Sequence, residues 1–189
     1  VSDIGGLEAR AGRIDGLVVL SCKYAGDGRG IVRELYRASS YEALVGPLGP
    51  WVQVNATETR QGALRGMHAE EMTKLVGVVA GEALGAWVDL RPGSPTVGVV
   101  ESLVLLPGIQ VLVPPGVANG FQATAPGGAH YVYCFDREWE PRMPGRACTP
   151  LDPALGIDWP LPVDPDDPEQ ISAKDRDAPR LAQALGAGR

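Results

Sequence analysis

The chain has 189 residues and a mass of 19.9 kDa, enough for one domain, residues 1–189, with a sizeable core. Hydrophobic residues make 44% of it and charged residues 21%, which excludes a disordered or fibrous chain. With 17 Lys+Arg against 23 Asp+Glu the net charge is -6, which excludes the broad basic footprint of a nucleic-acid binder; any phosphate must be held by a few placed cations.

No apolar run approaches the roughly 20 residues that span a bilayer, and the opening VSDIGGLEARAG lacks a basic-then-apolar secretory pattern. The expectation is a cytoplasmic protein with no membrane partner. Cys22, Cys134 and Cys148 are too scattered for a disulfide framework and are expected to be reduced.

Glycine (25) and proline (17) punctuate the chain densely, which favours many short strands over long helices. In chain order the predicted strands are Val18–Tyr24, Ile31–Tyr36, Trp51–Ala56, Leu75–Val79, Ala83–Leu90, Val97–Leu105, Ile109–Val113 and Ala129–Phe135. About eight short strands suggest a sandwich or barrel. Between Val79 and Ala83, Gly81 can supply a positive φ, so a hairpin is expected there. Short helices are predicted at Tyr41–Val45 and Ala178–Leu185. From Arg142 to Pro168 the chain is dense in Pro and Asp, with room only for an extended piece around Gly156–Leu161. Leu151, Leu155, Ile157 and Trp159 need burial, so this segment is expected to wrap over the domain.

Histidine is the side chain most easily poised as a base near neutral pH, and there are two, His68 and His130. His68 ends the run Ala63-Leu-Arg-Gly-Met-His68, and Lys74 begins a strand soon after. A base, an Arg and a Lys within ten residues suit an anionic substrate, although a solvated strand end would carry the same residues. Strict alternation puts Arg65 and His68 on opposite faces; they reach one site only if Gly66 sits in a bulge or the strand ends there. Alternation also groups Tyr131, Tyr133 and Phe135 on one face. One of the two tyrosines can point at a polar pocket and exchange a proton, and spacing does not choose between them. No H-x-H pair exists and no metal site is expected. Gly26-Asp-Gly-Arg-Gly30 lacks the Gly-Lys-Ser/Thr of a phosphate loop and reads as a turn.

Several segments, taken in order, resemble the dTDP-4-dehydrorhamnose 3,5-epimerase family of cupin-fold sugar-nucleotide epimerases. They are Gly26-Asp-Gly-Arg-Gly30, Trp51-Val-Gln-Val-Asn55, Leu64-Arg-Gly-Met-His68, Lys74-Leu-Val76, Val88-Asp-Leu-Arg91, Gly93-Ser-Pro-Thr96, Val113-Pro-Pro-Gly-Val-Ala-Asn-Gly-Phe121, Asp152-Pro-Ala-Leu-Gly-Ile-Asp-Trp-Pro160 and Ser172-Ala-Lys-Asp175. The resemblance spans about residues 17–183. It implies an all-β, cupin-type jelly-roll barrel with short C-terminal helical elements, homodimeric and cofactor-free, acting on a dTDP-4-keto-6-deoxyhexose. The barrel core would be about 17–140 and the wrapping segment about 141–189.

By the same resemblance His68 matches the base, Asp175 the carboxylate that orients it, Lys74 the cation on the enolate oxygen and Tyr133 the acid. Arg65 matches a diphosphate contact. Arg29 and Glu34 match positions that reach the nucleotide from the neighbouring subunit, and Gln53 and Asn55 match polar positions along the pocket. Asn119 stands where the family motif has His, Ala69 replaces an aromatic, Gly77 a frequent Arg, and Trp139 a second Tyr. The departures at Ala69, Asn119 and Trp139 suggest action mainly at a single carbon. The loss of His at 119 also admits a second reading, a non-catalytic sugar-nucleotide-binding member of the same fold.

Overall fold

The computed structural model describes residues 3–186; residues 1–2 and 187–189, the two ends of the expected domain, lie outside the described residues. The strands in chain order are β1 (Asp3–Gly5), β2 (Glu8–Ala11), β3 (Val18–Ser21), β4 (Lys23–Asp27), β5 (Gly30–Glu34), β6 (Gln53–Thr59), β7 (Leu64–Glu70), β8 (Lys74–Gly81), β9 (Ala83–Asp89), β10 (Val100–Leu105), β11 (Ile109–Val113), β12 (Val117–Ala123), β13 (Ala129–Phe135) and β14 (Gly145–Ala147). Helices are short: α1 (Ala38–Val45), α2 (Ala173–Arg176), α3 (Leu181–Gly186) and a 3-10 turn at Pro153–Leu155. No helix among the described residues is long and apolar enough to cross a membrane.

All strand pairs are antiparallel. A six-stranded sheet runs β2-β3-β11-β8-β13-β6, and a five-stranded sheet runs β10-β9-β12-β7-β14. A smaller sheet, β1-β4-β5, carries the β4–β5 hairpin. The two large sheets pack face to face as a jelly roll, and alternation along each strand sorts side chains into layers. On β9, Trp87 joins Val76, Val78, Val111, Phe121 and Tyr131 between the sheets, while Ala86 and Val88 face outward. The outer face of the five-stranded sheet is covered by the C-terminal segment through Cys148, Leu155, Leu181 and Ala184, with Ile157 and Trp159 packed against them. The outer face of the six-stranded sheet is covered in part by Tyr41 of α1 on Leu20, Leu75 and Leu112. Part of that face stays open, with Val54 61% exposed, and on β5 of the small sheet Ile31 and Val32 are 53% and 75% exposed.

The all-β expectation and the wrapping C-terminal segment match the structure, and several local expectations do not. The hairpin expected at Gly81 is absent: β8 pairs with β11 and β13, β9 with β10 and β12, and the chain crosses between sheets at this corner. Gly81 does take a φ of 77°, so glycine marked the turn correctly. Turn chemistry fixes where a chain reverses, and the partner strands are chosen by the packing of the whole barrel. The single strand expected over Val18–Tyr24 is divided at Cys22, whose N–H donates to the Gly108 carbonyl at 2.8 Å while the chain passes from β3 into the small sheet. The Pro-rich wrap contains β14, paired to β7, where no strand was expected. Its expected extended piece at Gly156–Leu161 forms no ladder. The three cysteines are free.

β7 and β12 were absent from the strand prediction, and both carry a glycine at their mutual contact. A Cβ on Gly66 would lie 2.5 Å from the Cα of Gly120, and one on Gly120 would lie 2.4 Å from the Met67 sulfur. Close backbone approach demands these glycines, yet in a sequence they read as breaks. The loop after β9 is held by Asp89, fully buried, which accepts from Arg91 Nη2 (2.8 Å), Ser94 Oγ (2.5 Å) and Thr96 Oγ1 (2.7 Å).

Candidate active site

β7 and β12 pair with His68 opposite Asn119 and Arg65 opposite Phe121, so Gly66 and Met67 together face Gly120 alone. That is a β-bulge. Asn119 and Phe121, two apart, share one face; the bulge turns Arg65 and His68, three apart, to that face as well. Gly66 carries it with a φ of 118°, and the Gly66–Met67 peptide is cis. The bulge that the sequence required for a shared site is therefore present.

Arg65, His68, Glu70, Lys74, Asn119 and Tyr133 line one cavity of about 60 Å³, floored by Phe121 and Phe135. β7 and β12 bring their members from the five-stranded sheet, and β8 and β13 bring Lys74 and Tyr133 from the six-stranded sheet. Asp175 arrives from outside the barrel. Ser172 caps α2 by accepting from the Asp175 N–H at 3.1 Å, and Asp175 Oδ2 accepts from the Gly66 N–H at 3.2 Å. Its Oδ1 lies 2.7 Å from His68 Nε2. Burial alone raises the Asp175 carboxyl, but the bond to His68 and its charge, with the Gly66 and Ser172 contacts, hold it below the usual carboxylate value.

Lys74 is buried, donating to the His68 carbonyl at 3.2 Å and to Glu70. Burial pushes the Glu70 carboxyl upward, and the Lys74 ammonium outweighs it, so Glu70 also stays below its ordinary value. Of the two tyrosines that alternation left open, Tyr133 lines the cavity, while Tyr131 is sealed in the core, stacked on Phe121 at 4.0 Å. Tyr131 donates its hydroxyl to Asn119 Oδ1 at 3.2 Å. Burial pushes the Tyr133 phenol up to about 12, so it is protonated at neutral pH. Arg65 donates from Nε to Thr59 Oγ1 at 3.1 Å.

Beside this cavity, and sharing His68 and Glu70 with it, lies an outer cleft of about 260 Å³ lined by Trp139, Arg142, Arg146 and Lys174. Gln53 and Asn55 lie on β6 opposite Phe135 and Tyr133, joined to each other at 3.2 Å; Gln53 Oε1 also accepts from the Trp139 N–H at 2.7 Å. Arg29 and Glu34 are not brought to the cavity of their own chain. Arg29 extends from the β4–β5 turn, 92% exposed and forked onto Asp27, and Glu34 pairs with Arg37. Ala69 and Trp139 line the outer cleft, whereas Gly77 faces the open side of the six-stranded sheet, away from both cavities. His130 is exposed.

Sequence reasoning did not single out Glu70 or the cations of the outer cleft. Glu70 lies two residues after His68 on one strand, so period-2 alternation was the signal for it. Arg142 and Arg146 carry no such signal, because the wrap alone sets their position. Among the described residues no three His, Cys, Asp or Glu side chains cluster in a way that could hold a metal ion.

A carboxylate-held imidazole and a protonated phenol, entering one cavity from facing sheets of a jelly roll beside a fixed ammonium, suit removal and return of a proton at carbon next to a carbonyl. Such chemistry defines an acid–base isomerase on a cupin-type barrel. The chain belongs to the dTDP-4-dehydrorhamnose 3,5-epimerase family, whose profile matches residues 11–183. It is 34% identical over 178 residues to the dTDP-4-dehydrorhamnose 3,5-epimerase of Salmonella typhimurium, covering 91% of this chain and 94% of the relative. Among solved structures, NovW, a 4-keto-6-deoxy sugar epimerase from the novobiocin cluster of Streptomyces spheroides, superposes with a TM-score of 0.89 at 29% identity, covering 100% of this chain and 94% of that one. ChmJ, a 3'-monoepimerase from Streptomyces bikiniensis solved with dTDP-quinovose, gives a TM-score of 0.85 at 31% identity, with 95% and 90% covered.

Proposed function

We propose that His68 is the base, Asp175 the carboxylate that orients it, Lys74 the cation on the enolate oxygen, and Tyr133 the acid. The chain is an epimerase of a dTDP-4-keto-6-deoxyhexose in deoxysugar biosynthesis, acting at carbon next to the 4-keto group. The observation that carries the residue roles is that His68 and Tyr133 line one cavity from β7 and β13 of different sheets. Epimerisation removes a proton from one face of the ring and returns one to the other, so the two groups must stand on opposite sides.

With Nε2–H donated to Asp175, the imidazole keeps its lone pair on Nδ1 for the substrate C–H. The electrons left on carbon move to the 4-oxygen, where Lys74 meets the developing charge. Tyr133 then delivers its proton to the opposite face, and the resulting phenolate is reprotonated from water. No metal or organic cofactor enters this scheme.

Arg65 contacts the diphosphate and the neighbouring subunit's copies of Arg29 and Glu34 reach the nucleotide, with Gln53, Asn55 and Asn119 along the pocket. Charge -6 does not oppose this, since placed cations act within a Debye length of about 8 Å. Exposed apolar residues, Val54 on the six-stranded sheet and Ile31 and Val32 on the small sheet, support a homodimer that covers them and carries Arg29 to the other protomer. Residues 1–189 act as one epimerase domain in the cytoplasm, with neither nucleic acid nor membrane as partner. Solvent deuterium uptake into dTDP-4-keto-6-deoxyglucose tests the reading. Uptake is expected; tight dTDP binding with no uptake into any 4-keto sugar nucleotide would favour the non-catalytic alternative.

A further inference from the structure

Lys74 is buried, four carbons long in its side chain, and held at its tip by two oxygens that both belong to β7, the His68 carbonyl and the Glu70 carboxylate. An ammonium has three N–H bonds. Two are used by these acceptors, and the same cavity that Lys74 lines is lined by Glu70 and His68. We propose that Glu70 is a positioning residue for the known reaction: with the His68 carbonyl it fixes Lys74 so that its third N–H faces the 4-oxygen of the substrate. This rests on the assignment of Lys74 to the enolate oxygen.

The physical need is specific. A donor stabilises a transition state only if it is already in place when charge develops, and a lysine side chain is otherwise free to swing. One carbonyl at 3.2 Å is a single tether; the carboxylate supplies the second point that fixes direction. Glu70 performs this without being placed to touch the reacting carbon, because its carboxylate is engaged by Lys74. The pairing also explains how a carboxylate is tolerated beside a developing enolate: its charge is matched by the ammonium it holds.

The test is a variant series in the full-length protein, read as kcat and KM separately. Glu70→Ala removes the tether, and Glu70→Asp keeps the charge but withdraws it by one methylene. Since a misplacement of about 1 Å can cost on the order of 10²-fold in rate, each is expected to lower kcat by roughly 10- to 100-fold with KM within about twofold. Glu70→Gln keeps an acceptor oxygen at the same reach and is expected to restore kcat to within about fivefold of wild type. Lys74→Ala and the Lys74→Ala/Glu70→Ala double variant are expected to be equally slow, because a positioning residue has nothing left to position. Binding of dTDP and circular dichroism report folding, and Glu70→Asp carries the test if Glu70→Ala does not fold. Wild-type kcat in Glu70→Ala or Glu70→Asp, a Glu70→Gln as slow as the alanine variant, or losses that multiply in the double variant would overturn the proposal. If Lys74→Ala alone turns over at the wild-type rate, the assignment of Lys74 has failed instead.

Discussion

His68 Nε2 and Asp175 Oδ1 lie 2.7 Å apart although 107 positions separate them in the chain. On the proposed roles the pair fixes which imidazole nitrogen carries the lone pair, and the two members then differ in how much they matter. His68→Asn is expected to lower turnover by at least about 10²–10⁴-fold, the usual contribution of a general base, with dTDP affinity nearly unchanged. Asp175→Asn is expected to fall in the same direction less completely, because it supports the base without touching the substrate proton. Steady-state kinetics and calorimetric titration with dTDP measure both; near-wild-type turnover in His68→Asn would sink the assignment.

Tyr133→Phe separates the two half-reactions. With His68 intact, proton removal continues and the same base can return a deuteron from its own side. Solvent exchange without inversion is therefore expected, while inverted product falls by about 10²–10⁴-fold. Loss of exchange and inversion in equal measure would place Tyr133 outside the acid role.

The buried Asp89 gives a stability prediction with a definite sign. Burial alone raises its carboxyl, but the bonds from Arg91, Ser94 and Thr96 outweigh that and hold it far below the ordinary value. In the unfolded chain it takes up a proton near the ordinary aspartate value of 3.8. The stability it contributes is therefore complete above that pH and declines as pH falls below it, toward the depressed native value. Asp89→Asn leaves Arg91 without its carboxylate and is expected to destabilise the fold by about 3 kcal/mol at neutral pH. The gap from wild type should narrow as pH drops below about 4, where the wild-type carboxylate starts to lose its advantage. Urea melts across pH check this; a gap that widens in acid would contradict it.

Several of these residues were legible in the sequence, and the reasons others were not are physical. His68, Lys74, Arg65 and the tyrosine face stood out because scarce chemistry and strand alternation are local properties. The strands that hold His68 and Asn119 were not, since Gly66 and Gly120 serve a cross-strand contact that single-chain patterning reads as a break. The hairpin expected at Gly81 failed for a related reason: turn residues say nothing about which sheet receives the next strand. Asp175 was assigned by resemblance alone, because no periodicity links it to a residue 107 positions away.

Asn119 supports a fourth expectation. It stands opposite His68 on β12, and its Oδ1 is occupied by the Tyr131 hydroxyl. A carboxamide shuttles no proton, so on the proposed roles His68 and Tyr133 remain the one base and one acid of the reaction. Action at both carbons requires the ring to present C3 and C5 in turn to that single pair, and an error of about 1 Å costs on the order of 10²-fold. Incubation with dTDP-4-keto-6-deoxyglucose in heavy water, followed by NMR, is expected to label one of the two carbons. Rapid labelling of both would refute it.

The strap that carries α2 couples one outer face of the barrel to the site. The barrel strands enclose an imidazole, but the carboxylate that orients it sits on a segment laid over the outer face of the five-stranded sheet, anchored by Leu155, Leu181 and the bond from the Leu181 N–H to Asp152 Oδ2 at 2.7 Å. Asp175 therefore meets His68 only where the strap is seated on that sheet. Loosening the strap at Leu155 or Leu181 would be felt at the imidazole with every barrel strand still in place, so the packing of an outer surface and the geometry of the cavity are one property of this chain.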